Sequence, residues 1–285
     1  MSDDLRLRRH PDADAFLAEV GGYLAAREAE HNLLLGIAGT ILAHPELHPE
    51  APYLADVRDS GVRLVALRTP PFNLVLSETD RPEAIEIVVD DLASRDPGLP
   101  GVTAPKDVAA RFAAAWAART GRAAALDVSE RIFRVSSVVM PPAPAGTWRA
   151  AHEGDRRQVA AWLLDFQREA LPNEPARDAD VLADAWLRGR DRTMYLWEVA
   201  GRPVSIVGAG SPTPHGIRIG PVYTPPRHRG HGYASALTAA VTRHELAHGR
   251  AFCFLFTDLA NPTSNHIYQA IGYEPVSDWS MYRFG

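Results

Sequence analysis

The sequence predicts an α/β protein with a mixed sheet, arranged as two consecutive domains of similar size. The chain has 285 residues, which is long for one domain and ordinary for two. The segment VVMPPAPAGTW, residues 138–148, combines prolines, alanines and a glycine that resist helix and strand. Helical and strand periodicities alternate on both sides of this segment. We therefore expect domains at 1–140 and 147–285, joined by a linker at 141–146.

Composition narrows the class of protein. Hydrophobic residues make up 46% of the chain, and the net charge of −5 argues against a general nucleic-acid binder. Cys253 is the only cysteine, which excludes an intramolecular disulfide. The N-terminal segment has no apolar signal core, and no stretch approaches the apolar length of a membrane span. We expect a cytoplasmic protein with no membrane or nucleic-acid partner, and the oligomeric state stays open.

The second half alternates strands and helices. Its first helix has Val159, Leu163 and Phe166 at three- and four-residue spacing, as a helix packed on one side does. The apolar run AFCFLFTDL predicts a strand in the middle of a sheet. The predicted order is a strand in 147–152, helices in 153–171 and 176–190, a strand pair in 193–210, a strand in 216–224, a helix from 232 to 249, a strand in 251–259, a helix in 261–272 and a strand in 280–284.

The first half repeats this pattern weakly. It predicts a helix in 20–42, a strand pair in 52–78, an Ala-rich helix in 104–121 and a strand in 131–140. The segment APKDVAARFAAAW parallels PPRHRGHGYASAL, because each places a proline and a basic residue before an Ala-rich helix. We interpret this as an internal duplication in which Ala110 and Phe112 stand where the second half has Gly230 and Gly232.

A basic, glycine-containing loop precedes the helix that starts at 232. RHRGHG, residues 227–232, places two arginines and two histidines around two glycines at a strand-to-helix junction. The first N–H groups of a helix lack partners within it, and the helix dipole adds positive charge there. Glycines allow close approach of the backbone, and arginines add charge-assisted hydrogen bonds. The loop therefore predicts a phosphate or pyrophosphate site, although an ordinary glycine loop with solvated arginines has the same pattern.

Two other phosphate motifs fit less well. A Walker A loop ends in Gly-Lys-Ser/Thr, which the chain lacks. A dinucleotide fingerprint requires G-x-G-x-x-G/A directly after a strand. Here GHGYAS has Ser235 at the third position, and residues 225–229 separate the strand from the first glycine. Because Asp258 ends the next strand, as a ribose-binding acid would, a nucleotide-dependent oxidoreductase stays open as a third hypothesis.

A closer match is to the GNAT family of N-acetyltransferases. RHRGHG resembles the Arg/Gln-x-x-Gly-x-Gly/Ala loop of that family, which binds the pyrophosphate of acyl-CoA. NPTSNHIYQAIGYEPV resembles the later Asn, Tyr and Gly-aromatic segment, and the predicted order of elements over 147–285 is similar to that of the family. The resemblance implies two tandem GNAT-like acyl-CoA N-acyltransferase folds, with the phosphate loop of the first one lost.

The resemblance also implies individual roles. The strand before the loop would pair its backbone with the pantetheine arm, and the loop and helix start would hold the pyrophosphate. The implied acetyl-CoA-binding residues are Val222, Tyr223, Thr224, Arg227, Arg229, Gly230, His231, Gly232, Tyr233, Ala234, Ser235, Asn261 and Ser264. Tyr268 matches the usual general acid of the family, which would protonate the departing CoA thiolate. As alternatives, Asn261 would be a plain helix cap and Tyr268 a core aromatic.

Other titratable residues stay unassigned. Glu198, His215 and Asp258 lie at or near strand ends, and spacing does not choose a general base among them. Cys253 lies in an apolar run and is interpreted as core. The resemblance implies an enzyme that moves an acetyl group from its co-substrate acetyl-CoA to a primary amine by direct attack, without a metal. The alternative is a non-catalytic acyl-CoA-binding module, and the acceptor (small amine, aminoglycoside, amino acid or protein N-terminus) is not identified.

Overall fold

The computed structural model describes residues 4–285. In the first half the elements are β1 Arg6–Arg9, α1 Ala13–Ala26, α2 Asn32–Ala43, β2 Tyr53–Arg58, β3 Val62–Arg68, β4 Leu74–Leu76, α3 Glu83–Arg95, β5 Gly101–Pro105, α4 Lys106–Thr120 and β6 Ala124–Val135. In the second half they are β7 Thr147–Ala150, α5 Arg156–Ala170, α6 Ala179–Leu187, β8 Thr193–Val199, β9 Arg202–Gly210, β10 Gly216–Tyr223, α7 Tyr233–Ala247, β11 Phe252–Asp258, α8 Pro262–Ala270 and β12 Glu274–Phe284.

Both halves have the same order of elements: a strand, two helices, three strands, a helix, a strand, a helix and a strand. This repeat confirms the predicted α/β class with two tandem folds of one type. It also shows that the loop between β10 and α7 corresponds to the connection between β4 and α3, residues 77–82. The predicted alignment of Phe112 with Gly232 is therefore wrong, because Phe112 lies on the second turn of α4, with its ring buried.

The chain forms two compact units, and each unit is made of more than one segment of the chain. The first contains the described residues up to Ile132 together with Asp258–Ala260 and Val276–Gly285. The second contains Phe133–Thr257 and Asn261–Pro275. Residues 133–140, 258–260 and 276–285 thus depart from the predicted division into 1–140, 141–146 and 147–285, which otherwise stays a prediction.

In the first unit the strands follow the order β1-β2-β3-β4-β5-β12. Among these pairs, β4 and β5 are parallel and the others are antiparallel. Helices α3 and α4 bury their apolar faces against this sheet. The core includes Leu74, Val88, Leu92, Val102, Phe112 and Trp116.

Strand β12 is fixed in the first unit by a close backbone approach and by one arginine. A Cβ on Gly101 of β5 would lie 2.1 Å from the carbonyl oxygen of Tyr282, so the β5–β12 pairing requires glycine there. Arg122 donates hydrogen bonds of 2.7–3.0 Å to four backbone carbonyl oxygens. These acceptors belong to Pro97, Leu99, Phe284 and Gly285.

In the second unit the order is β11-β10-β9-β8-β7, and β10 and β11 are the parallel pair. One apolar cluster joins this sheet to α7 through Leu237 and Val241. Another joins it to α5 through Val159 and Leu163, as their spacing predicted. The same helical spacing leaves Phe166 partly buried at the edge of that cluster.

The predicted helix over 20–42 is interrupted at residues 27–31, between α1 and α2. His31 is fully buried at this break, with Nδ1 3.0 Å from Leu24 O and Nε2 2.6 Å from Glu78 Oε2. The elements that the sequence did not predict are β1, β4, α3 and β5, and β6 and β12 start earlier than predicted. Within residues 4–285, no helix is both long enough and apolar enough to cross a membrane.

Candidate active site

Strand β10 diverges from its parallel neighbour part-way along its length. It pairs with β11 from Gly216 to Arg218, although both strands continue beyond this point. Its antiparallel pairing with β9 continues to Tyr223, with an irregularity between Ile219 and Val222. Beyond Arg218, therefore, the edge of β10 that faces β11 is not paired with β11. An unpaired strand edge is a template for another extended chain.

A tight loop leads from β10 to α7. Residues 226–228 form one turn of 3₁₀-helix, and Gly230 and Gly232 follow with φ angles of 79° and 78°. A Cβ at either glycine would meet no atom within 4 Å, so the φ angle rather than packing requires glycine. Ala236 N–H bonds back to Gly232 O at 3.0 Å. The amides of Tyr233, Ala234 and Ser235 precede it and are the first-turn donors that a helix does not satisfy itself.

Basic and aromatic side chains line the loop. Arg227 Nε donates to His228 Nε2 at 3.1 Å. Burial and then the charge of Arg227 lower the pKa of His228, which favours a neutral ring at pH 7. His231 stacks on Tyr233 with ring centroids 5.4 Å apart, and its Nδ1 lies 2.8 Å from Arg229 O. Arg227 and Arg229 therefore carry fixed positive charge in this loop.

A glutamate that sequence analysis missed ties the loop to α5. Glu169, on the last turn of α5, accepts a hydrogen bond from Tyr223 Oη at 3.1 Å and forms an ion pair with Arg229. Arg229 Nε also donates to Thr224 O at 2.8 Å. Burial, followed by the hydrogen bond to Glu169, raises the pKa of Tyr223. No local motif signals this contact, because 60 positions separate Glu169 from Arg229.

Helix α8 begins with the side-chain cap that the sequence predicts. Asn261 Oδ1 accepts a hydrogen bond from Ser264 N–H at 3.1 Å, and Pro262 occupies the first helical position. The capping role of Asn261 is confirmed. Its proposed contact with pantetheine stays a prediction.

Tyr268 is almost fully buried on α8, with 8% of its surface exposed. Its ring lies edge-on to Tyr273 at a centroid distance of 6.0 Å. Both belong to the apolar cluster against which Val222 and Tyr233 pack, so Tyr268 shares one core with residues on both sides of the loop. Burial raises the pKa of Tyr268 to about 12, which keeps the phenol protonated at physiological pH.

The three candidates for a general base have different surroundings. Glu198 accepts a hydrogen bond of 2.6 Å from Arg149. His215 is exposed just before β10, at the end of the strand opposite the loop. Asp258 Oδ1 accepts the N–H of Ala260 at 2.8 Å. These contacts do not single out a base.

Two further observations concern chemistry outside the loop. Cys253 is fully buried, and burial raises the pKa of its thiol to about 12, which confirms its interpretation as core. In the part of the chain that the structure describes, no group of three or more His, Cys, Asp or Glu side chains is placed to hold a metal ion.

The corresponding loop of the first unit, residues 77–82, has no glycine and contains two carboxylates, Glu78 and Asp80. Glu78 accepts hydrogen bonds from His31 at 2.6 Å and from Arg27 at 2.8 Å. Tyr23 Oη donates to the backbone oxygen of Glu78 at 3.0 Å. Although burial opposes it, the hydrogen bond from His31 lowers the pKa of Glu78 and keeps it ionised. A fixed negative charge disfavours a pyrophosphate at this loop.

The divergent strand and the basic loop at a helix start are the features that the sequence resemblance implied for an acyl-CoA N-acyltransferase fold, and comparison with known proteins finds a family model that matches this region. The profile of the Acetyltransferase (GNAT) family matches residues 156–273. No curated protein sequence matches the chain. Residues 156–273 therefore match a GNAT acetyltransferase domain, and the repeated order of elements gives the chain the tandem arrangement predicted from its sequence.

Solved structures agree with this fold over the whole chain. A protein from Drosophila shares 13% identity over 98% of both chains, with a TM-score of 0.71. A GCN5-related N-acetyltransferase from Sphaerobacter thermophilus shares 16% identity over 99% of this chain and 96% of its own, with a TM-score of 0.61. A tandem GNAT protein from the clavulanic acid biosynthesis pathway shares 15% identity over 99% and 98%, with a TM-score of 0.57. At these identities the likeness shows the fold alone.

Proposed function

We propose that the second unit binds acetyl-CoA and transfers its acetyl group to a primary amine by direct attack in a ternary complex. The main support is the unpaired edge of β10 beyond Arg218, which leads directly into the basic loop at 227–232. A strand edge offers alternating N–H and C=O groups to an extended amide chain such as pantetheine. The loop and helix start offer amides and arginines to the phosphates that follow that chain.

The proposal assigns the residues to successive parts of the ligand. Val222, Tyr223 and Thr224 supply the strand edge, and Asn261 with Ser264 lies at the start of α8. The phosphate-binding groups are Arg227, Arg229, Gly230, His231, Gly232, Tyr233, Ala234 and Ser235. The proposed acceptor is a small-molecule or peptide amine.

In the proposed reaction the amine nitrogen attacks the thioester carbonyl carbon and the C–S bond breaks. The sulfur leaves as a thiolate and takes the phenolic proton of Tyr268. The nitrogen loses one proton, and Tyr268 regains one through solvent, so the net products are an amide and a free thiol. The raised pKa of Tyr268 keeps this acid protonated until the thiolate forms.

We expect one acetyl-CoA per chain, because the first unit has Glu78 at the corresponding loop. Titration calorimetry measures this number directly. Two equivalent sites would contradict the assignment of binding to the second unit. A panel of amines screened for thiol release from acetyl-CoA then separates an enzyme from a non-catalytic acyl-CoA-binding module, which would bind without turnover.

Gly232→Phe tests the position of the ligand. The new side chain meets no protein atom within 4 Å of its Cβ but projects at the start of α7, so we expect loss of acetyl-CoA binding in a folded protein. Gly249→Phe is the matched control, because Gly249 follows the C-terminal end of the same helix with a φ angle of 100° and equal open space. Equal affinity in both variants would refute the proposed site.

A further inference from the structure

We infer that Glu169 competes with the phosphate of the ligand for Arg229, and so lowers the affinity of the loop for phosphate. This inference rests on the proposed function of the loop at 227–232. Glu169 is held from two sides, by the Tyr223 hydroxyl and by the guanidinium of Arg229. The carboxylate of Glu169 therefore already contacts the guanidinium that the phosphate of the ligand would bind.

Both units have an ion pair between a helix end and the loop, but the positions of the positive and negative residues are exchanged between the two units. In the first unit the loop carries the anion, Glu78, and the cation Arg27 follows the end of α1. In the second unit the loop carries the cation, Arg229, and the anion Glu169 lies at the end of α5. Helices α1 and α5 occupy equivalent places in the two repeats. In this contact, therefore, only the second unit has its cation on the loop.

The exposure of the pair indicates that it can open. The side chains of Arg229 and Glu169 are 49% and 45% exposed, and exposed ion pairs are weak. Once a phosphate binds Arg229, the nearby carboxylate becomes a repulsive like charge. Arg229 also keeps a second anchor, since its Nε donates to Thr224 O at 2.8 Å. Removal of the Glu169 charge should therefore release the cation for the ligand without releasing the loop.

Glu169→Gln tests this inference by calorimetry with acetyl-CoA and, separately, with inorganic pyrophosphate. We expect each ligand to bind about two- to fivefold more tightly at low ionic strength, with the gain shrinking as salt rises. Asp165→Asn is the matched control, because Asp165 lies one turn earlier on α5 and its side chain is 43% exposed. In an Arg229→Gln background, Glu169→Gln should no longer change the affinity.

The outcomes separate this inference from the proposed function. Weaker or unchanged binding in Glu169→Gln overturns the competition, as does an equal gain in Asp165→Asn, while the acetyl-CoA site itself stands. If pyrophosphate shows the gain but acetyl-CoA does not bind, the competition stands and the proposed acetyltransferase site fails. If neither ligand binds the unmodified protein, both proposals are refuted.

Discussion

Tyr268→Phe separates the two roles proposed for this residue, because it removes one hydroxyl and leaves the ring in its apolar cluster. Burial is the cause of the raised pKa of Tyr268, and no side-chain hydrogen bond contributes to it. The hydroxyl therefore contributes little to packing. We expect the free energy of unfolding to change by less than about 1 kcal/mol.

The catalytic role predicts a much larger effect. Loss of a positioned proton donor lowers the rate of the chemical step by about two to four orders of magnitude, or roughly 3–5 kcal/mol of activation free energy. Acetyl-CoA affinity should be nearly unchanged, because the phenyl ring remains in place. Single-turnover acetyl transfer is the appropriate assay, since slow product release masks the chemical step in steady state.

The pH dependence gives the same experiment a second readout. An acid acts in its protonated form, and a pKa of about 12 means that Tyr268 retains its proton throughout the neutral and mildly alkaline range. We therefore expect that deprotonation of this phenol causes no loss of the single-turnover rate up to about pH 10. A falling limb near neutral pH that disappears in Tyr268→Phe would contradict the environment described for Tyr268.

Tyr273→Phe is the control variant. Tyr273 lies in the same cluster, and its hydroxyl hydrogen-bonds to Thr242 Oγ1 at 2.8 Å. This variant should lose about 1 kcal/mol or more of stability and keep the rate of transfer. If Tyr268→Phe is folded and retains its single-turnover rate, Tyr268 is a core residue and the thiolate leaves without its help.

Three further predictions concern stability and reactivity. Cys253 should resist iodoacetamide at pH 8 until the protein is unfolded, since a pKa of about 12 leaves roughly one thiol in ten thousand ionised. Gly146→Ala should lower the urea midpoint by the equivalent of at least about 2 kcal/mol, because the new Cβ would lie 2.2 Å from Glu198 O. Gly121→Ala is the control, because its Cβ would meet no atom within 4 Å and the substitution adds only backbone strain. Arg122→Met should cost about 2 kcal/mol or more and speed hydrogen exchange in 276–285, and unchanged exchange there would refute its anchoring role.

The sequence predicts most of the second unit because its signals are local. Spacing places Val159 and Leu163 in a core, and an Asn-Pro pair places the start of α8 at the observed residue. Glycine and arginine in RHRGHG predict a loop before a helix, which the left-handed φ angles of Gly230 and Gly232 bear out. Each of these inferences depends on residues within a few positions of one another.

Contacts between distant segments are what the sequence does not predict. The ion pair of Glu169 with Arg229 joins two elements with no shared motif. Proline and alanine content aligns two different helices with each other, and it therefore matches Phe112 to a glycine loop although Phe112 lies inside α4. The last strand has an ordinary apolar pattern, and nothing in that pattern says that its neighbour is β5 rather than a strand of the second half.

The position of β12 has a consequence for how the protein is made. A ribosome synthesises the first half of the chain before the second, and domains generally fold in that order as they emerge. Here the first unit lacks one of its strands until residues 276–285 have been synthesised. A premature stop shortly before residue 276 would therefore leave residues 133–257 and 261–275 of the second unit present, and remove the strand that pairs with β5 in the first.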